Sequence, residues 1–186
     1  MASLTFHRFD TAGARQQRET ISLIHRDAYA ERIASGDPFY TVKAFMQRFD
    51  AYTSRDGLDL VIGYHSGEPI GQTWGWPLGP VTASWQGLEA DPDREPGFTD
   101  EDGTRTFALS EIMVRQDWTG CGYAHALHDE LLGGRQEQRA VLLVNPTNER
   151  AQRAYSKWGW QLSGRLRPGW EGAPLFNVLM LDLAAR

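Results

Sequence analysis

The chain holds a single cysteine, Cys121, so an internal disulfide and a cysteine-built zinc cluster are both excluded. It holds no run of eighteen apolar residues, so nothing reads as a membrane-spanning helix and no membrane partner is expected. Met1 to Asp10 lacks the apolar centre of a signal peptide, which makes the cytoplasm the expected location. Internal repeats and low-complexity stretches are missing, which argues against a solenoid or a disordered tail. Positive charge is in short supply: 19 Lys and Arg face 24 Asp and Glu, for a net charge of −5. Nucleic acid selects for basic surfaces and is therefore not an expected partner. Histidines are few and scattered. His125 and His128 lie three apart rather than four, with no third ligand read nearby, so no metal site is expected. What is present is ordinary for a globular protein: 41% hydrophobic and 23% charged residues in 186, most simply one domain over 1–186. A chain of that length buries about 70% of its unfolded surface.

Leu4 to Phe9 alternates as a first strand. Arg15 to Ile33 repeats Ile21, Ile24, Ala28 and Tyr29 at helical spacing and stops near Gly36 and Asp37-Pro38. Phe39 to Tyr52 carries Phe45, Met46, Phe49 and Tyr52 as a second stripe, read as core. Asp59 to His65 and Glu68 to Trp76 flank Ser66-Gly67, a hairpin signal. Residues 77–104 show no helical pattern and hold seven acidic residues against Arg94 alone. Such an irregular, acidic insertion is either a solvated loop or a lid whose negative rim draws a cationic amine. Arg139 to Val144 is a short buried strand, Asn148 opens a helix ending near Gly159, and Gln161 to Arg167 and Leu175 to Leu183 close the chain as strands.

The organising stretch is Arg105 to Leu132. Its strand places Phe107, Leu109, Glu111 and Met113 on one face and Ala108, Ser110, Ile112 and Val114 on the other. Gly120-Cys121-Gly122 then opens a helix with Ala124, Leu127 and Leu131 on one side. A helix that begins among glycines offers unpaired N–H groups and a positive dipole end to a phosphate. The dinucleotide fingerprint fails, because His125 stands where its third glycine belongs, and no Lys-Ser or Lys-Thr pair marks a nucleotide-triphosphate loop.

Val114-Arg115-Gln116-Asp117-Trp118-Thr119-Gly120-Cys121-Gly122-Tyr123-Ala124 resembles the acyl-coenzyme A loop of the GNAT acetyltransferase superfamily, Val-x-Pro-x-x-Arg/Gln-Gly-x-Gly-hydrophobic-Gly/Ala. Gln116 stands in place of the common Pro, and Thr119 in place of the common Arg or Gln. Residues 148–160 resemble that family's second signature, Asn-x-x-Ala-x-x-x-Tyr-x-Lys-x-Gly-aromatic. The resemblance implies an α/β fold: a mixed, twisted sheet of six to seven strands, flanked by about four helices and splayed at the fourth and fifth strands. It also implies acetyl-CoA as acyl donor, a small-molecule amine acceptor, and direct transfer without a covalent enzyme intermediate. A homodimer is compatible with it.

By the same resemblance, the N–H groups of Thr119, Gly120, Cys121, Gly122, Tyr123 and Ala124 receive the diphosphate. The strand backbone at Ile112, Met113 and Val114 pairs with the pantetheine amides, as an added strand would. Asn148 hydrogen-bonds the pantetheine arm, and equally suits a helix N-cap. Tyr155 matches the signature tyrosine whose hydroxyl protonates the departing thiolate, a fitting task for a phenol of pKa near 10; packing on a neighbouring strand is its other reading. Glu111 is out of place on an apolar face unless that face meets a polar cleft. Desolvation there would raise its pKa toward that of a general base; binding the acceptor's ammonium group and pairing with a buried arginine stay open. Cys121 supplies a backbone N–H rather than a nucleophile. Trp74, Trp76, Trp85 and Trp170 are candidates for an acceptor pocket, and Trp118, Trp158 and Trp160 for packing. Two rivals keep the fold: a non-catalytic acyl-CoA-binding module, and an acyltransferase using another donor such as a longer acyl-CoA or an aminoacyl-tRNA.

Overall fold

The computed structural model describes residues 4–169 and 172–184. Seven strands form one mixed sheet in the order β1-β2-β3-β4-β5-β7-β6. They are β1 Leu4–Phe9, β2 Asp59–His65, β3 Glu68–Pro77, β4 Thr106–Val114, β5 Arg139–Val144, β6 Gln161–Leu166 and β7 Phe176–Asp182. Six helices accompany them: α1 Thr11–Gln16, α2 Arg18–Ala28, α3 Ala30–Ala34, α4 Val42–Tyr52, α5 Tyr123–Leu132 and α6 Glu149–Lys157. No helix among the described residues is long and apolar enough to cross a membrane. Trp170 lies outside the described residues.

The helix count exceeds the expected four because Arg15 to Ile33 is not one helix. Gln17 (φ −90°, ψ 11°) and Tyr29 (φ −115°, ψ 23°) leave helical geometry and divide the segment in three. Asp10 starts the first piece by accepting from Gly13 N at 2.8 Å. Tyr29 turns its ring to His25 and Tyr40, with centroids 5.3 Å and 4.9 Å away. Apolar spacing records a shared face but not a one-residue break in the backbone.

The described residues up to Trp76, together with Ser110–Gly134, form one compact unit. Its β1-β2-β3 meander is antiparallel. The β2–β3 turn has Ser66 at φ 52° and Gly67 at φ 83°, the double left-handed geometry of a two-residue hairpin. Thr41 caps α4 through Ala44 N, and the apolar face of α4 buries Phe45 and Phe49 completely. Both rings meet Trp74, at 5.9 Å and 5.5 Å between centroids. Burying each such ring stabilises the fold by about 1.5–3 kcal/mol. Helix α2 packs on α4, and α5 packs on β2, with Leu127 against Gly63.

Pro77–Leu109 and the described residues from Arg135 onward form a second unit. There β4 runs parallel to β5 over only three pairs, Thr106–Arg139, Phe107–Ala140 and Ala108–Val141. Beyond them the pairing lapses, which is the parting of fourth and fifth strands that the resemblance implies. β5 instead pairs with β7 along its whole length. The acidic segment 77–104 is irregular but fastened. Leu88 bridges to Leu166, and Glu89 N donates to Arg165 O. Glu101 is buried, and its Oε1 accepts from Trp85 Nε1, Thr106 Oγ1 and Arg139 Nη2 at 3.0, 2.8 and 3.2 Å. Glu101 therefore leaves the expected negative rim and serves as an internal anchor; the six other acidic residues stay exposed.

Candidate active site

The glycine-bearing loop is held at its start by charge. Arg115 pairs with Asp27 at 3.0 Å and with Glu68 at 2.5 Å, and donates to Pro69 O. Gln116 N donates to the other oxygen of Asp27 at 2.8 Å. A proline at 116 would lack that N–H, so the departure from the family pattern has a local use. Gln116 to Trp118 make a 3-10 turn, and the Thr119 hydroxyl donates to Gln116 O at 2.9 Å. That bond leaves Thr119 bound to its own loop.

Gly120 and Gly122 both have left-handed backbone, φ 80° and 82°, and a Cβ on either would meet nothing within 4 Å. The space beside them is open, and only glycine takes this conformation without strain. Residues 119–122 are exposed. No side chain caps α5, and among the described residues the N–H groups of Gly120 to Ala124 have no hydrogen-bond acceptor. Here the structure presents a row of donors at the positive end of a ten-residue helix. The donor set and the open ground suit a diphosphate. Trp118 and Tyr123 pack with His65, at 4.6 Å and 6.1 Å between centroids, and frame the loop as packing residues. Cys121 is exposed, with Sγ 3.8 Å from Thr119 O.

Along β4, residues 106–109 are buried, and then Ser110, Glu111 and Ile112 are half-exposed in succession. Val114 is half-exposed too, while Met113 turns into the core, where Gln72 Nε2 donates to its sulfur at 3.1 Å. Only the backbone of Met113 is thus a candidate for cofactor contact. Burial pushes the Glu111 carboxyl from 4.5 up to about 7, against a smaller opposing pull from Arg48. Its carboxylate makes no hydrogen bond or ion pair among the described residues. Tyr52, at the end of α4, lies beside it. Burial and then the Glu111 charge raise the Tyr52 hydroxyl, against a smaller lowering by Ser110. Tyr52 stacks on Trp76 at 5.1 Å and 29°, with Arg55 over the far indole at 4.6 Å. Trp74 and Trp76 are buried, and neither indole N–H finds an acceptor among the described residues.

Arg48, Tyr52, Arg55 and Ser110 did not emerge from the sequence as site residues. The available signal was the i, i+4 pair Arg48 and Tyr52, which adds a charge and a hydroxyl to a stripe otherwise read as core.

In the second unit, Asn148 caps α6 by accepting from Ala151 N at 3.1 Å. Tyr155 lies on the same helix, 8% exposed, with edge-on contacts to Trp158 and Trp160 at 5.5 Å and 5.9 Å. Those two tryptophans pack as expected, and Trp85 is likewise a buried wall residue bonded to Glu101. Glu111, Ile112, Met113, Val114 and the loop Thr119 to Ala124 belong to the first unit, and Asn148 and Tyr155 to the second.

One reading of the histidines changes. Asp129 is a third potential ligand beside His125 and His128, with the donor atoms of all three within 4.8 Å of one another. Its carboxylate lies 2.9 Å from His128 Nδ1 and 3.4 Å from His125 Nε2, so the three groups satisfy one another on α5. A groove of about 600 Å³ lined by Arg18, Leu23, Arg26, Met46 and Pro69 contains none of the expected site residues.

A seven-stranded mixed sheet with a lapsed β4–β5 pairing, and an uncapped helix start behind two left-handed glycines, define an acyl-CoA-dependent transferase fold. The chain belongs to the acetyltransferase (GNAT) family, whose model matches residues 25–160. Solved structures agree in fold. An acetyltransferase from Thermus thermophilus is 13% identical, covers 97% of each chain and superposes with a TM-score of 0.62. The PaiA N-acetyltransferase from Thermoplasma acidophilum, solved with coenzyme A, is 12% identical over 97% of this chain and 99% of its own, at 0.58. An aminoglycoside N-acetyltransferase in complex with CoA is 14% identical over 89% of this chain and 93% of its own, also at 0.58. No curated protein matches the chain by sequence.

Proposed function

We propose that the protein is an N-acetyltransferase, a single domain that carries an acetyl group from acetyl-CoA to a primary amine of a small-molecule or peptide acceptor by direct transfer. One observation carries the donor half of this reading: the acceptor-free N–H groups of Gly120 to Ala124, facing open space. When bound, acetyl-CoA supplies an activated carbonyl carbon and a thiolate leaving group. The chain's residues then have three tasks. The loop N–H groups hold the diphosphate while the backbone of Ile112 to Val114 and the Asn148 side chain hold the pantetheine arm. Glu111 accepts the proton that the ammonium must lose before its nitrogen can attack, which its value of about 7 suits near neutral pH. As the new C–N bond forms and the C–S bond breaks, Tyr155 gives its proton to the sulfur.

The test is incubation of the purified protein with acetyl-CoA and a panel of amines, following free thiol and acetylated product together by mass spectrometry. Equal release of thiol and acetylated amine supports the reading. Tight binding of coenzyme A without turnover of any amine would replace it with a non-catalytic binding module.

A further inference from the structure

Helix α5 carries three ligand-type side chains close together. His128 follows His125 by three residues and Asp129 follows it by four, the two spacings that make neighbours on a helix surface. Asp129 stands between the rings. One of its carboxylate oxygens is 2.9 Å from His128 Nδ1, and the other is 3.4 Å from His125 Nε2. The two ring centroids are 5.9 Å apart, with 31° between the planes. The donor atoms of all three residues lie within 4.8 Å of one another.

These separations suit a metal shell. Ligand atoms about 2.0–2.1 Å from one zinc-sized ion stand about 3.3 Å apart at the corners of a tetrahedron, and about 2.9 Å apart along the edge of an octahedron. At 3.4 Å the His125 contact is longer than an ordinary N–H···O bond, whereas two ligands of one ion keep that distance. Exposure divides the work. The His128 side chain is fully buried and held by packing, so it loses little conformational entropy on binding. The side chains of His125 and Asp129 are 49% and 47% exposed, able to swing onto an ion arriving from solvent. Two imidazoles and one carboxylate suit Zn2+, Ni2+ or Co2+, while Mg2+ and Ca2+ demand oxygen ligands and find a single carboxylate here.

We propose that His125, His128 and Asp129 form a binding site for a divalent transition-metal ion of the zinc class, with water completing the shell. His125 lies in the first turn of α5 and Asp129 in the next, so the ion clips together the start of the helix that follows Gly122. None of the three ligands is among the residues assigned to acyl transfer, and the site stands or falls without that reading.

Calorimetric titration of untagged, EDTA-stripped protein with ZnCl2, and separately with NiCl2, CoCl2, MgCl2 and CaCl2, tests it. One Zn2+ per chain should bind with a Kd of roughly 10 μM or below. The melting temperature should rise by about 5–10 °C when free Zn2+ is a hundred times Kd, and EDTA should reverse the rise. His125→Ala and Asp129→Asn alter exposed side chains, so both should melt near wild type without the ion. Each should weaken Zn2+ at least about tenfold and lose most of the shift. Cys121 is exposed four residues before His125, and Cys121→Ser separates a thiolate site from this one. No transition ion bound, no fixed stoichiometry, or Mg2+ and Ca2+ bound as tightly as Zn2+ overturns the proposal. Affinity that survives both His125→Ala and Asp129→Asn, or that disappears in Cys121→Ser, overturns it as well.

Discussion

Replacing Glu111 by Gln should make the protein more stable at pH 8 while nearly abolishing its activity. The carboxyl titrates at about 7 in the fold against 4.5 when exposed, because burial penalises its charge. A folded value above the unfolded one means that the native state holds the proton more tightly. The stability this gives is full below pH 4.5 and is lost as pH rises through 7. From those two values the ionised form costs the fold about 3 kcal/mol at pH 8 and about 1 kcal/mol at pH 5. Glu111 is half-exposed along a water-accessible stretch of β4, which reduces the usable figure at pH 8 to roughly 1–3 kcal/mol. Glutamine keeps the shape and cannot ionise. For a chain of this size each kcal/mol moves the melting temperature by about 2–4 °C, so the variant should melt several degrees higher at pH 8 and close to wild type at pH 5. Calorimetry of both proteins across that range is the assay. The wild-type kcat/KM should climb with pH through about 7, and the variant should lose roughly 10² to 10⁴ of it. A variant no more stable at pH 8 than at pH 5, relative to wild type, would refute the claim that burial holds this carboxyl neutral.

Three further outcomes are expected. Tyr155→Phe keeps the ring against Trp158 and Trp160 but removes the proton donor, so single-turnover rates should fall by roughly 10² to 10⁴ with coenzyme A affinity unchanged; an unchanged rate dismisses the acid role. Gly122→Val places a β-branched side chain at φ 82° on the donor row, and titration calorimetry should show coenzyme A binding weakened at least about tenfold. His25 is buried against Phe45 at 3.8 Å with neither ring nitrogen bonded among the described residues, and burial, then the Arg48 charge, lowers it from 6.5 to about 4. Its folded value lies below the unfolded one, so stability is intact above pH 6.5 and falls as pH drops toward 4, by about 3 kcal/mol at that point. His25→Phe should remove that part of the acid sensitivity, as denaturant titrations at pH 4.5 and pH 7 would show.

Local chemistry wrote the elements that the sequence revealed. Alternation marks Leu4–Phe9 because Leu4 and Phe6 are more covered than Thr5 and His7, and Asp59–His65 shows as an apolar run because Leu60 to Gly63 are buried on both faces. Ser66-Gly67 turns because both positions take positive φ. The glycine pair ahead of α5 reads as a phosphate grip because no other residue leaves that backbone bare, and Glu111 draws notice as a charge among apolar neighbours. The features that escaped depend on partners distant in the chain. Glu101 looked like one more acid of a surface loop until Arg139 and Thr106 folded onto it. Tyr52 and Arg48 were hidden in an apolar stripe, since a helical period cannot say that the stripe's last turn borders on Ser110 and Glu111. Asp129, by contrast, four residues after His125 and next to His128, was within reach of both by helical spacing and was missed because only the two histidines were weighed.

Asp27 grips the glycine-bearing loop twice, once by the Arg115 side chain and once by the Gln116 main chain, from a seat on α2. A single carboxylate therefore acts as a rivet between a helix of the amino-terminal half and the start of the loop proposed to hold the diphosphate, so a nudge to α2 would tug on that loop. Exchanging Gln116 for the proline of the family pattern would pull one of the rivet's two pins and leave the loop tied to its helix by the Arg115 pair alone.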